Sequence, residues 1–393
     1  MDLVFNPLEY QTQDDPYPIY ARLREEAPIY HNEEVDFWAF SRYRDIEDGV
    51  RNYQRFSNRN GPLMEREFWK PDSAEMHSLV AMDPPRHTVY RKLISPSFTQ
   101  RAVSDLAPRI QALAKQYVDE AVERREFDAM RDIFKKIPLD ALAMVVGIPE
   151  ADRPEMQRML DGTIHREDGA DFVTPAQMKA FMDLTDYYMG LVAERRRKPA
   201  EDLLSRVIAT EVEGKLLEDR EIVALLHLLG GAGTETTIEM IGNAWYWAWY
   251  HEDQRKLALS GNAIHGWVNE TLRYDSSVQL AVRVVMEDFD AYGVTVPAGA
   301  QMLLLIASGN RDAEVFPDPD KYDLTRAARQ VLSFSGGPHH CVGHLLARSL
   351  ANITLSELAR RVADYEIDPG GVQRVRRAIV HGFSALPTTI TPR

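Results

Sequence analysis

The stretch Phe334-Ser-Gly-Gly-Pro-His-His-Cys-Val-Gly-His-Leu-Leu-Ala-Arg348 holds the only cysteine of the chain, Cys341. A lone cysteine makes no intrachain disulfide, and a cysteine-only zinc site needs several thiolates. Three roles remain: a buried structural thiol, a nucleophile, or a single soft metal ligand. The surroundings favour the last. Gly336, Gly337 and Gly343 let the backbone come close to something flat and bulky, and Pro338 stiffens the loop. From Val342 onward the sequence reads as the start of an apolar helix. Cys341 then lies near a helix N-terminus, where the dipole and free N–H groups favour thiolate over thiol. A zinc site from His339, His340 and Cys341 fits less well, because adjacent side chains diverge and no fourth ligand stands at zinc-like spacing.

Phe334, Gly337, His339, Cys341 and Gly343 reproduce the pattern Phe-x-x-Gly-x-His/Arg-x-Cys-x-Gly, and Leu346-Ala347-Arg348 extends it. On these residues the chain resembles the cytochromes P-450, in particular the soluble bacterial type. The resemblance implies a mainly α fold with small β-sheets, a single domain over residues 1–393, and haem b as cofactor. The haem would lie between a distal helix and the cysteine loop with its proximal helix. Cys341 would be the axial ligand of the haem iron, with Phe334 and Gly343 beside the cofactor. One thiolate ligand pushes electron density onto the iron and favours O–O cleavage.

Composition agrees with an enzyme of this kind. The chain has 393 residues, 45% of them hydrophobic, which is enough for a large buried core. A net charge of −14 argues against a nucleic-acid partner, so Arg195-Arg-Arg-Lys198 reads as the solvated end of a helix. The N-terminus has no cationic leader and no long apolar run, so no signal peptide or membrane anchor is expected. One cysteine without a disulfide framework suits a reducing cytoplasm.

Along the chain, Ile19 to Glu26 reads as an amphipathic helix and Phe37 to Tyr43 as a strand. Residues 60–82 read as a loop with little regular structure, of the length often given to function. From Pro85 to about 228 the pattern is mostly helical: Ile110 to Glu123, Leu139 to Val146, Pro175 to Arg195 and Glu201 to Thr210. Residues 278–306 break into short strands, 311–333 show little periodicity, helix returns at Val342 to Val362, and Ala378 to Pro392 reads as strands around a turn from Gly382 to Pro387.

Residues 224–247 are the most apolar part of the chain, yet Gly230, Gly231, Gly233, Glu235 and Glu239 interrupt them. A core helix fits better than a membrane span. Three glycines weaken such a helix by roughly 1 kcal/mol each against alanine, and a ligand lying flat on the helix would offset that cost. A buried carboxylate is costly unless paired or used. Ala232-Gly-Thr-Glu-Thr-Thr237 is similar to the family's oxygen-binding motif. By that resemblance Ala232 lies at the cofactor, Thr236 hydrogen-bonds dioxygen, and Glu235 relays protons. Many relatives carry aspartate where Glu235 stands. Peroxide-dependent fatty-acid relatives lack the acid–alcohol pair, so the resemblance implies a monooxygenase that uses dioxygen and two electrons to hydroxylate or epoxidise its substrate.

Other positions follow from the same resemblance. Glu270 and Arg273 match Glu-x-x-Arg, and Arg326 completes a structural triad with them. His87, Arg91, Arg283 and His339 match cations on the haem propionates. Ser277 departs from the proline common in bacterial relatives, which leaves the path after the Glu-x-x-Arg helix open. The pocket would draw on residues 61–82, 164–181 and 278–282 with the distal helix, through Leu63, Met64, Phe68, Trp69, Leu229, Ala232, Leu280 and Phe383. They are mostly apolar; no cation is aimed at a carboxylate, though Arg66 and Lys70 lie in the first loop. A terpenoid, steroid or polyketide-like substrate is expected. No flavin or nicotinamide motif is visible, so electrons would come from a ferredoxin and a ferredoxin reductase, the ferredoxin docking at Lys92, Arg101 and Arg348. Set against the monooxygenase are a haem-binding or ligand-sensing protein without turnover, for which a proton relay has no use, and a specialised dehydratase or aryl-coupling enzyme.

Overall fold

The computed structural model describes residues 3–65, 68–71, 73–163, 173–327 and 330–393. Arg66 and the part of the expected pocket at 164–172 lie outside the described residues.

The distal helix, Asp219–Tyr250, is 32 residues long, or about 48 Å. Its start is set by a capping box in which the Glu221 carboxylate accepts the Glu218 N–H at 2.9 Å. Apolar residues are buried on every side of it, from Ile222 to Ala248, so it runs through the core. It packs against the helices Lys136–Val146, Pro175–Arg197, Ile264–Tyr274 and His344–Arg361. Near its C-terminal end the Trp245 ring stacks on Tyr365 with centroids 3.5 Å apart, and the Tyr365 hydroxyl donates to the Trp245 carbonyl at 2.7 Å. Among the described residues, no helix is long and apolar enough to cross a membrane.

The sheets lie to the side of this helical body. The largest has the spatial order Ile29–Asn32, Phe37–Phe40, Gln301–Leu304, Ala281–Val285, Phe56–Ser57, with one parallel pairing, between Phe37–Phe40 and Gln301–Leu304. It has its own apolar cluster, distinct from the one around the distal helix. A second sheet joins Val362–Ile367, Pro387–Pro392 and Glu126–Asp128.

Several boundaries differ from the sequence reading. The strand expected through Tyr43 stops at Phe40, because the Asp312 carboxylate accepts the Tyr43 N–H at 2.9 Å at the start of the helix Tyr43–Arg51. Residues 60–82 contain the short helix Ala74–His77 and a 3₁₀ turn at Ser78–Ala81. The helix after the cysteine begins at His344, and Val362 already belongs to a strand. The supposed turn from Gly382 contains a strand, Phe383–Ala385, paired with Gln373–Arg374. It is tied to the distal helix by the Glu239 carboxylate, which accepts the Phe383 N–H at 2.7 Å.

The segment between Gly309 and Gly337 has no helix or strand among its described residues, and an ion network gives it shape. Glu270 and Arg273 have no exposed side-chain surface. Arg273 donates to both Glu270 oxygens at 2.9 and 2.7 Å and to the carbonyls of Asn310, Pro319 and Lys321, which uses all the directions of its donor fork. Arg326 reaches Glu270 at 3.2 Å and the carbonyls of Pro317, Asp318 and Lys321. Close approach requires Gly266 here, since a Cβ would lie 2.0 Å from the Leu324 carbonyl oxygen. Removing Glu270 strands a buried guanidinium, so Glu270→Ala is expected to lower stability by about 3–5 kcal/mol in denaturant unfolding. A loss below about 1 kcal/mol would contradict this account of the segment.

Candidate functional site

Cys341 sits on a loop held by its own backbone. The Cys341 N–H donates to the Phe334 carbonyl at 2.9 Å, and the Ser335 N–H to Leu332 at 2.7 Å. Gly337 has φ +60°, and a Cβ there would come within 2.9 Å of the Arg51 and Val50 backbone. Gly336 abuts Val50. These two glycines therefore serve packing on the helix Tyr43–Arg51, not approach of a flat ligand. Gly343 differs, because its nearest neighbour would be the Cys341 sulfur at 4.0 Å. Burial pushes the Cys341 thiol up, while the N–H groups of Gly343 and His344 and the Arg91 charge pull the other way. Those groups supply the stabilisation that a thiolate needs once a cation faces it.

On the distal helix, only Ala232 and Gly233 are exposed between Ile222 and Ala248. The Thr236 hydroxyl donates to the Ala232 carbonyl at 3.0 Å, the back-bond of a helical threonine. The three glycines have separate reasons. Gly230 makes room for the Tyr188 hydroxyl, 2.7 Å from where its Cβ would be; Gly233 lies at ordinary contact distance from Leu142; Gly231 faces open space. A ligand lying flat on the helix therefore accounts for two of the three at most.

A cluster of basic side chains lies beside the cysteine loop. His87 and Arg91 share one face of the helix Arg86–Ile94. The His87 and His339 rings are 4.1 Å apart, and Arg91 donates to the His340 carbonyl at 2.6 Å. Arg283, on the strand Ala281–Val285, is 5% exposed and donates to its own Val282 carbonyl. Among the described residues it has no ion pair. Both ring nitrogens of His87 and Nε2 of His339 are buried without partners. Burial pushes His87 down to about 4 and Arg283 down to about 10, and burial with Arg283 and His87 alongside pushes His339 to about 2. The Asp83 carboxylate acts on Arg283 and His87 from a distance but is engaged by the Ser57 hydroxyl and the Asn58 N–H, so the group keeps donors for a further anion. The two carboxylates of haem fit that deficit, with Cys341 close by in the same loop as His339.

Glu235 forms a two-pronged ion pair with Arg377, one contact at 2.9 Å, and each side chain is 16% exposed. Sequence reasoning missed Arg377. A buried acid demands a cation, but nothing local points to one 142 residues away. Glu239 was read only as an interruption of an apolar run. It is buried, and burial pushes its carboxyl up to about 8.

The path after the Glu-x-x-Arg helix is set by pairing with the C-terminal segment. The His381 N–H donates to the Ser277 carbonyl, the Gln279 N–H to that of Ile379, and Val278 bridges Val380. Leu63, Phe68 and Trp69 are partly exposed, and Met64 and Leu229 retain 5–6%. Leu280 is 1% exposed, and Phe383 is fully buried against Tyr246 and beneath Arg374. Both pack the core and present no surface to a ligand, contrary to expectation.

Residues 264–369 match the family model for cytochrome P450. The putative cytochrome P450 123 of Mycobacterium tuberculosis is 40% identical over 394 residues, covering 100% of this chain and 98% of that one. The vitamin D(3) 25-hydroxylase of Pseudonocardia autotrophica is 33% identical, covering 96% and 94%. Among solved structures, a cytochrome P450 from Bacillus megaterium in complex with testosterone superimposes with a TM-score of 0.88 at 27% identity, covering 96% and 98%.

Arg283→Met is expected to leave the cofactor-free chain at least as stable as the wild type and to weaken haem binding tenfold or more, about 1.4 kcal/mol, in a titration. Loss of stability with unchanged haem affinity would contradict the charge-deficit reading. The depressed histidines also fix a sign. The unfolded chain takes up protons near 6.5 and the folded one only near 4, so stability of the cofactor-free protein falls as pH drops through that window. His87→Gln should flatten that fall in denaturant titrations at pH 7 and pH 5, and an unaltered slope would exclude His87 as a contributor.

Proposed function

The chain belongs to the cytochrome P450 family of monooxygenases, and from that premise we propose that it inserts one atom of dioxygen into a lipophilic molecule of steroid, terpenoid or polyketide-like size. Its cofactor on this reading is haem b. The observation that carries the reading is the cluster of His87 and His339, with unpartnered ring nitrogens, and Arg283, with no ion pair among the described residues, beside the lone cysteine.

The bound haem supplies the centre at which dioxygen is reduced and its O–O bond cleaved. Cys341 would hold the haem iron as a thiolate, its charge supported by the N–H groups of Gly343 and His344. His87, Arg91, Arg283 and His339 would hold the haem carboxylates. Ala232 and Gly233 would offer the haem a low surface on the distal helix, and Phe334 packs at the loop, with Arg348 over its ring at 5.0 Å. The Thr236 hydroxyl can leave the Ala232 carbonyl and turn to dioxygen at little cost, because a back-bond adds nothing that the helix ladder lacks. Glu235 supplies protons to that hydroxyl and must loosen its contact with Arg377 to do so. Glu270, Arg273 and Arg326 keep the cysteine side rigid.

Electrons come from a ferredoxin and its reductase. Exposed Lys92 and Arg101 offer charge to an acidic partner. Arg348 is turned inward to Asn269 and Phe334 and contributes less. Leu63, Phe68 and Trp69 give the pocket an apolar wall. Steroid size is supported by the testosterone-bound neighbour and by the vitamin D(3) hydroxylase.

With labelled dioxygen, a steroid that shifts the haem spin state should yield product carrying one labelled oxygen. Thr236→Ala should go on consuming electrons while product per electron falls by about tenfold or more. Normal coupling in that variant, or product without label, would overturn the reading.

A further inference from the structure

Glu239 has no part in the chemistry described so far. It lies one helical turn beyond Glu235, and both carboxylates line one cavity of about 320 Å³ on the distal helix, closed on the far side by the segment 373–377. Asp161, whose side chain is 44% exposed, stands at its rim, so the cavity reaches solvent. Its size admits several waters.

The backbone around Glu239 is built to receive a carboxyl. One oxygen accepts the Phe383 N–H at 2.7 Å, and a Cβ on Gly382 would fall 2.0 Å from that same oxygen. No hydrogen bond within the described residues engages the other oxygen. The charged groups facing Glu239 are Glu235 on its own helix, Lys135 on the neighbouring helix, and Arg377 on the C-terminal segment. Asp161, Arg374 and Arg376 complete the charged lining of the cavity. Burial and Glu235 raise its affinity for a proton; the Phe383 N–H, Lys135 and Arg377 lower it; the balance lies near 8. At neutral pH Glu239 is therefore mostly a donor, and two guanidinium N–H groups of Arg377 engage the Glu235 carboxylate.

We propose that Glu239 stores the proton that reloads Glu235, receiving it from solvent through this cavity. The transfer balances without any redox change. The Glu239 O–H breaks, its proton passes by way of cavity water to a Glu235 oxygen as one Arg377 contact opens, and the Glu239 carboxylate takes a proton from water behind it. The inference rests on the reading that Glu235 feeds the dioxygen site, and Glu239 acts only through Glu235.

Glu239→Gln keeps the shape and the acceptor for Phe383 but releases no proton. The first readout needs no turnover. Infrared difference spectra of the resting holoenzyme across pH should show a buried carboxylic-acid C=O band that disappears around pH 8 in the wild type and is missing in Glu239→Gln. If the wild type has no such band the proposal fails, whether or not the variant folds. In turnover, Glu239→Gln should lose product per electron by about fivefold, show a larger solvent isotope effect, and lose the wild-type pH dependence near 8. Glu239→Asp should restore part of each. Thr236→Ala is measured alongside. If it uncouples while Glu239→Gln behaves as wild type, this inference alone is overturned; if it stays coupled, the reading beneath falls with it.

Discussion

A guanidinium buried without an ion-pair partner among the described residues is the constraint around which the cysteine side of this protein is arranged. Two buried arginines make the contrast. Arg273 spends every donor on Glu270 and three carbonyls, so its charge is met by the chain itself. Arg283 meets only the Val282 carbonyl, and the two histidines near the cysteine have ring nitrogens with no partner. Uncompensated, a buried charge costs several kcal/mol. A chain that tolerates that cost beside a metal-ligating residue type is built for an anionic group, and a metal cofactor with two carboxylates satisfies the cations and the cysteine together.

The distal helix links this constraint to chemistry. Its length lets one element cross the core, so its apolar faces are held from all sides, and the exposed window between Ile222 and Ala248, at Ala232 and Gly233, is rigidly placed. The helix also carries two carboxylates through the interior, and the segment leading to the C-terminal strands supplies their partners: Arg377 to Glu235, and the Phe383 N–H to Glu239. That segment is itself anchored through Gln279 and Ser277 to the stretch after the Glu-x-x-Arg helix. The two carboxylates of the distal helix, the C-terminal segment and the stretch after the Glu-x-x-Arg helix are thus connected through hydrogen bonds.

The sequence made legible whatever is local. The cysteine loop, Glu270 with Arg273, the acid–alcohol pair and the long apolar helix are patterns within a dozen residues or so, and the overall mainly α architecture follows from their order. Features that depend on distant partners were not legible. Arg377 reads as one more arginine until the chain brings it to Glu235. Gly230, Gly336 and Gly337 look like room for a ligand, whereas their space is taken by Tyr188, Val50 and Arg51. The strand at Phe37 ends early because of Asp312, far along the chain. Phe383 looked like a pocket residue because apolarity does not distinguish a wall from a core, and only burial against Tyr246 does.

The central claim is that Cys341 binds haem iron as a thiolate. The absorption spectrum of the reduced, carbon-monoxide-bound protein tests it most directly, with Cys341→Ser as control. The account predicts the strongly red-shifted Soret band of thiolate ligation in the wild type and its loss in the variant. An unshifted band in fresh, folded wild-type protein would contradict thiolate ligation and the oxygen chemistry built on it.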